Sequence, residues 1–205
     1  MTDRQEHWNS VFGTKDPLKV SWYQKVPQTS LDLIANAGAT AESRVIDVGG
    51  GSSALVDSLL QAGFLDIAVL DISEKALAIA RQRVCDSADK VDWIVSDITC
   101  FEPPHVYDVW HDRAVLHFLT EEQDQKKYVQ VLKKALKPGA AVIIGAFAIG
   151  GPERCSGLPI VQYDAEKLSG LLGASFHLVE ERQEVHVTPS EEEQQFAFFR
   201  YQYSL

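Results

Sequence analysis

Cysteine is scarce in this chain. Its three, Cys85, Cys100 and Cys155, form no Cys-x-x-Cys pair, and an odd number cannot all be bridged. No zinc framework or disulfide scaffold can be read from them, and reduced thiols are expected. Histidine offers no metal site either: His111 and His117 lie close together, but at a spacing that does not share one helical face. Long apolar runs are also missing. The longest, Ala140 to Ile149, is too short to span a bilayer, and Met1 to His7 lacks the apolar stretch of a signal peptide, so a cytoplasmic protein without a membrane partner is expected. Positive charge is in deficit, with 19 Lys and Arg against 29 Asp and Glu and a formal net charge of −10. That balance speaks against a broad nucleic-acid-binding face and leaves cationic, neutral and protein partners open.

What is present suits one soluble domain: 205 residues, 45% apolar and 23% charged, with no stretch left for a separate substrate domain. The first forty residues are aromatic and turn-rich, with a helix signal at Thr29-Ser30, and are predicted to cover the rest. From Arg44 strands and helices alternate. Strands are predicted at Arg44–Val48, Ile67–Leu70, Val91–Val95, Val106–Trp110 and Ala140–Phe147, and helices at Ser52–Gln61, Glu74–Val84 and, from a Thr120/Gln123 capping box, up to Leu136. Lys137-Pro138-Gly139 is predicted to break the chain before the last of these strands. A short helix at Asp164–Leu172 and two β-rich segments, Phe176–His186 and Glu192–Tyr203, close the pattern as an antiparallel hairpin.

Between the first strand and its helix the chain reads Val45-Ile46-Asp47-Val48-Gly49-Gly50-Gly51-Ser52-Ser53-Ala54. Glycine lets a backbone lie against a ligand, and the helix that follows offers free N–H groups, so this is a nucleotide-cofactor loop. Gly49, Gly51 and Ala54 satisfy the dinucleotide spacing, yet Asp47 at the strand tip would repel a pyrophosphate and welcome an ammonium or a ribose hydroxyl. Asp71 and Asp97 close the next two strands, where ligands of open α/β sheets bind. Each acid also has a purely structural reading: Asp47 and Asp71 as helix caps, Asp97 as a turn residue.

Val45–Gly51, Leu70-Asp71-Ile72-Ser73, Ser96-Asp97-Ile98, Tyr107-Asp108-Val109-Trp110 and Leu136-Lys137-Pro138-Gly139-Ala140 together resemble the ordered motifs of class I S-adenosylmethionine-dependent methyltransferases. The resemblance runs from about Arg44 to the C-terminus and implies a single α/β domain over residues 1–205. Its Rossmann-like sheet would have seven strands in the order 3-2-1-4-5-7-6, strand 7 antiparallel, with helices on both faces. It implies S-adenosylmethionine as cofactor, held by Asp47, Gly49, Gly51, Ser53, Asp71, Ile72, Asp97 and Ile98. Many relatives carry a glycine where Ser53 stands. His7-Trp8 and Ser21-Trp22-Tyr23-Gln24 resemble the leading segment of a subgroup of small bacterial methyltransferases and eukaryotic protein-lysine methyltransferases. By that likeness residues 1–40 would cover the site, with Trp22 at the cofactor and Tyr23 at the acceptor.

Methyl transfer asks the protein mainly for alignment and desolvation, with a base where a proton must leave. The stretch after the fourth strand supplies the candidates: His111 as base, Asp112 to hold a cationic nucleophile, Arg113 to bind a carboxylate, and His117 beside them. Asp112 and Arg113 also read as a mutual ion pair, and His117 as a packed residue. Arg154, in the glycine-rich stretch Phe147–Leu158, is a further acceptor contact, that stretch reading as a lid or a plain connection. The acceptor expected is a small molecule, with a protein lysine as alternative, on a monomer or weak dimer. An NAD-dependent reductase and a non-catalytic adenosylmethionine-binding module are the rivals from other classes.

Overall fold

The computed structural model describes residues 3–204; residues 1, 2 and 205, the ends of the expected domain, lie outside them. Seven strands form one sheet: β1 (Arg44–Val48), β2 (Asp66–Asp71), β3 (Val91–Val95), β4 (Tyr107–Arg113), β5 (Leu136–Phe147), β6 (Phe176–Val187) and β7 (Glu193–Tyr203). Their order is 3-2-1-4-5-7-6, with β7 antiparallel to both of its neighbours, which is the expected topology. The helices are α1 (Asp3–Thr14), α2 (Gln28–Asn36), α3 (Leu55–Gln61), α4 (Glu74–Val84), α5 (Glu122–Ala135) and α6 (Ala165–Leu172).

The near-continuous apolar runs of β1, β2 and the second half of β5 follow from burial on both faces, because helices cover a parallel sheet on each side. Alternation along β1 sends Val45 to one core and Ile46 and Val48 to the other. Leu33 and Ile34 of α2 share the first core with Leu55 and Leu59 of α3 and Leu77 of α4. Tyr128 and Leu132 of α5 and Leu168 of α6 share the second with Trp110 and Ile144. The first forty residues are therefore partly core, because α2 fills a place in a helix layer.

Several expected boundaries move. No Thr120/Gln123 capping box forms: a 3₁₀ turn at Leu116–Phe118 and burial of Leu119 carry the chain past Thr120, and α5 starts at Glu122 without a side-chain cap. Lys137-Pro138-Gly139 does not break the chain. It lies within β5 as a bulge, where pairing shifts between Tyr107–Leu136 and Val109–Ala141 and Gly139 takes φ +85°. The helix expected from Ser52 starts at Leu55, so the glycine loop is longer than its spacing suggests. The strand expected at Val106–Trp110 runs on to Arg113.

Candidate functional site

Because β4 continues to Arg113, the residues expected in a loop are strand residues with alternating directions. Asp47 and His111 are register partners on β1 and β4 and meet on the α2 face. His111 Nδ1 donates to Asp47 Oδ1 at 2.7 Å, and Nε2 lies 2.8 Å from Ser30 Oγ of α2. All three are at most 2% exposed. Asp112 turns to the opposite face, where it accepts from Tyr128 Oη at 2.7 Å and from the amides of Val115 and Leu116. Burial still pushes its carboxyl up to about 6, those donors notwithstanding. Neither member of the expected catalytic pair, His111 or Asp112, is among the residues lining the cleft, and each is held inside the protein by partners on its own side of the sheet. Nor do Asp112 and Arg113 pair with each other.

The cleft lies at the carboxyl ends of the parallel strands, where ligands of open α/β sheets bind. Gly49, Asp71, Ile72, Asp97 and Ile98 line one end. Asp71 Oδ1 accepts from the Ser73 amide, and Ser73, not Asp71, caps α4. Burial pushes the Asp71 carboxyl up to about 7, with repulsion from Asp47 adding to it. Asp97 caps a short 3₁₀ turn through Thr99 and faces Arg4 of α1 at 3.6 Å.

Three glycines make this end possible. Gly49 has φ +69°, and a Cβ there would come 2.0 Å from Val115 Cγ2; at Gly51 it would come 2.5 Å from Asp71 Oδ2. Gly50 is required as well, since its Cβ would meet Asp47 Oδ2 at 2.5 Å. This packing need is invisible in the motif.

The other end is aromatic. Trp8 and Phe12 of α1, Trp22, Phe118, Phe147 and Phe196 line it with Arg113 and His117. Trp8 stacks edge-on against Phe118 at 5.0 Å and against Trp22 at 6.1 Å. Burial, with Arg113 nearby, pulls His117 down to about 3, so its ring is neutral.

Not every expected residue reaches the cleft. Asp47 lies beneath the loop, and the Ser53 hydroxyl accepts from the Leu55 amide. Tyr23 lines a separate shallow depression with Val26 and His186. Arg154 points outward to the Gly157 carbonyl, while its neighbour Cys155 faces in. Arg4 and Ser96 were missed, and Trp8 and Phe12 were legible as a pair: their spacing of four puts both on one helical face. A Tyr-x-x-x-Lys spacing of the kind found in nicotinamide reductases does occur, at Tyr163 and Lys167. Tyr163 is 1% exposed and outside the cleft lining, and Lys167 Nζ donates to the Gln162 carbonyl.

The glycine cradle, an acid at each of two strand ends and an apolar floor at Ile72 and Ile98 fit S-adenosylmethionine. Residues 46–142 match the family model described as a methyltransferase domain. The chain is 30% identical over 149 residues to the ubiquinone biosynthesis O-methyltransferase of Bordetella bronchiseptica, covering 67% of this chain and 56% of that protein. It is 24% identical over 143 residues to the eEF1A lysine and N-terminal methyltransferase of Bos taurus, covering 68% of this chain and 20% of that one. The chain thus spans about half the length, or less, of these relatives. Its fold is similar to that of the N-methyltransferase NodS from Bradyrhizobium japonicum WM9 in complex with S-adenosyl-L-homocysteine, with TM-score 0.74, 19% identity, and 98% and 99% of the two chains covered. The chain belongs to the class I S-adenosylmethionine-dependent methyltransferases.

Proposed function

We propose that this chain transfers the methyl group of S-adenosylmethionine to a small molecule. The observation that carries the reading is the two-ended cleft, with Asp71 and Asp97 at one end and aromatic rings at the other, beneath Trp8 and Phe12 of α1. Bound cofactor supplies a methyl group on a positively charged sulfur. Asp71 accepts from the ribose hydroxyls, Asp97 and Ile98 frame the adenine, and Gly49 lets the backbone approach the amino-acid portion. The rings exclude water and hold the acceptor in line. His111 is a positioning residue in this reading: it anchors Asp47 to Ser30 of α2. Asp112 orders the Val115–Leu116 turn in the same way. Of the polar residues expected at the acceptor, Arg113 and His117 line the cleft, together with Gln194 and Cys155.

A protein lysine is the second reading, favoured by the net charge of −10 and by the relative whose name gives eEF1A lysine as its target. Among the described residues no helix is long and apolar enough to cross a membrane. A cytoplasmic monomer or weak dimer that does not bind nucleic acid completes the proposal.

Extract incubated with the protein and radiolabelled S-adenosylmethionine, then split by molecular size, tests the choice. Label in the small-molecule fraction supports the first reading and label in protein the second. Binding of NAD without binding of adenosylhomocysteine would favour a reductase, and adenosylhomocysteine binding with no label transferred anywhere would favour a binding module.

A further inference from the structure

Arg113 ends β4 on the α2 face, and its guanidinium lies 4.9 Å from the centre of the Phe196 ring. Phe196 of β7 pairs with Phe147 of β5, so the cation lies toward the β5–β7 side of the cleft, away from Asp71 and Asp97 on β2 and β3. Nη1 donates to the Trp22 carbonyl at 2.9 Å, which fixes the plane of the group. Nε and Nη2 are buried without a hydrogen-bond partner. These two atoms share one edge of the guanidinium, and their N–H bonds run side by side in the spacing of two carboxylate oxygens.

Among the described residues no carboxylate forms an ion pair with Arg113; Glu184 and Asp47 act on it only from farther away. Burial pulls the guanidinium down to about 10, as expected of a cation that has lost water without gaining an anion. His117, in the same lining, has both ring nitrogens buried and unpartnered, with its ring centre 5.1 Å from that of Phe147. Unpartnered donors beside flat apolar walls suit an oxyanion attached to a planar body.

We propose that the methyl acceptor is a small planar carboxylate, and that the Nε–Nη2 edge of Arg113 grips its carboxylate while Phe196 and Phe147 flank its body. The proposal rests on the methyltransferase reading above and names the acceptor class. The same edge would also suit the carboxylate of the cofactor's own amino-acid portion, so the experiment separates the two sources.

Isothermal titration of benzoate and of benzamide, its neutral isostere, into the wild-type chain saturated with adenosylhomocysteine reads the claim without any variant. Benzoate should bind at least about tenfold more tightly, the advantage of a charge-assisted pair of hydrogen bonds over a neutral contact. Arg113→Gln should remove that preference while adenosylhomocysteine affinity stays within about threefold of wild type. Equal binding of benzoate and benzamide to the wild type overturns the proposal and leaves the methyltransferase reading standing. Absence of adenosylhomocysteine binding defeats that reading and the proposal with it. If Arg113→Gln weakens adenosylhomocysteine by more than about tenfold but leaves methylthioadenosine, which lacks the amino-acid portion, unaffected, the edge serves the cofactor and the acceptor claim falls.

Discussion

Asp71 holds its proton up to about 7 in the folded chain, whereas an unfolded aspartate gives its proton up near 3.9. Between those values the folded state binds more protons than the unfolded one, so the ligand-free protein loses stability as pH rises through this window. Ribose hydroxyls donate to the ionised carboxylate, so cofactor binding runs the opposite way. Adenosylhomocysteine affinity should climb as pH rises from about 5.5 to about 7 and level off above about 8, and Asp71→Asn should flatten the profile when measured by calorimetric titration. Asp71→Ala should weaken binding by about 1.5–3 kcal/mol, and unchanged affinity would remove Asp71 from the ribose. Tyr128→Phe makes a contrasting case. It strips Asp112 of one donor and leaves Trp110 Nε1, 3.0 Å from the Tyr128 hydroxyl, without its acceptor. Urea unfolding should show a loss of about 1–3 kcal/mol, with adenosylhomocysteine affinity nearly unchanged.

The loop between β1 and α3 is where local sequence and distant packing meet. Its glycines announce a ligand, but the reason for each lies elsewhere: Val115 for Gly49, Asp47 for Gly50, Asp71 for Gly51. Gly49→Ala should destabilise the chain by about 1–3 kcal/mol, since it adds a Cβ contact to a left-handed backbone. Adding Val115→Ala should restore the contact part and leave about 1 kcal/mol of backbone strain, measured by denaturant unfolding of both variants. Identical losses in the two would put the whole cost in the backbone. The end of β4 teaches the same lesson from the other side. His111 and Asp112 look like loop residues because a polar pair in a strand needs partners, and those partners are 64 and 16 positions away. Composition in a short window cannot see them.

At the scale of the molecule, the cleft draws residues from α1, the ends of the parallel strands and the β5–β7 side, so a ligand that fills it should tie these parts together. Adenosylhomocysteine at a hundredfold excess over its Kd should add about 2.7 kcal/mol and raise Tm by roughly 5–10 °C, and hydrogen exchange should slow in α1 as well as in the glycine loop. A Tm rise without protection of α1 would mean that Trp8 and Phe12 cover the sheet and take no part in binding. Apolar period, turn chemistry and motif spacing are local properties of the chain, so the succession of strands and helices, the glycine loop and the acids near strand ends were legible from residues alone. Which of the polar residues line the cleft depended on packing between distant elements. In β4 the direction of a side chain follows strand parity, which rests on where the strand ends, and that was set by Ser30, Asp47 and Tyr128 reaching His111 and Asp112 from other elements. Arg113, one position farther, lines the cleft and keeps two buried guanidinium nitrogens without a hydrogen-bond partner among the described residues.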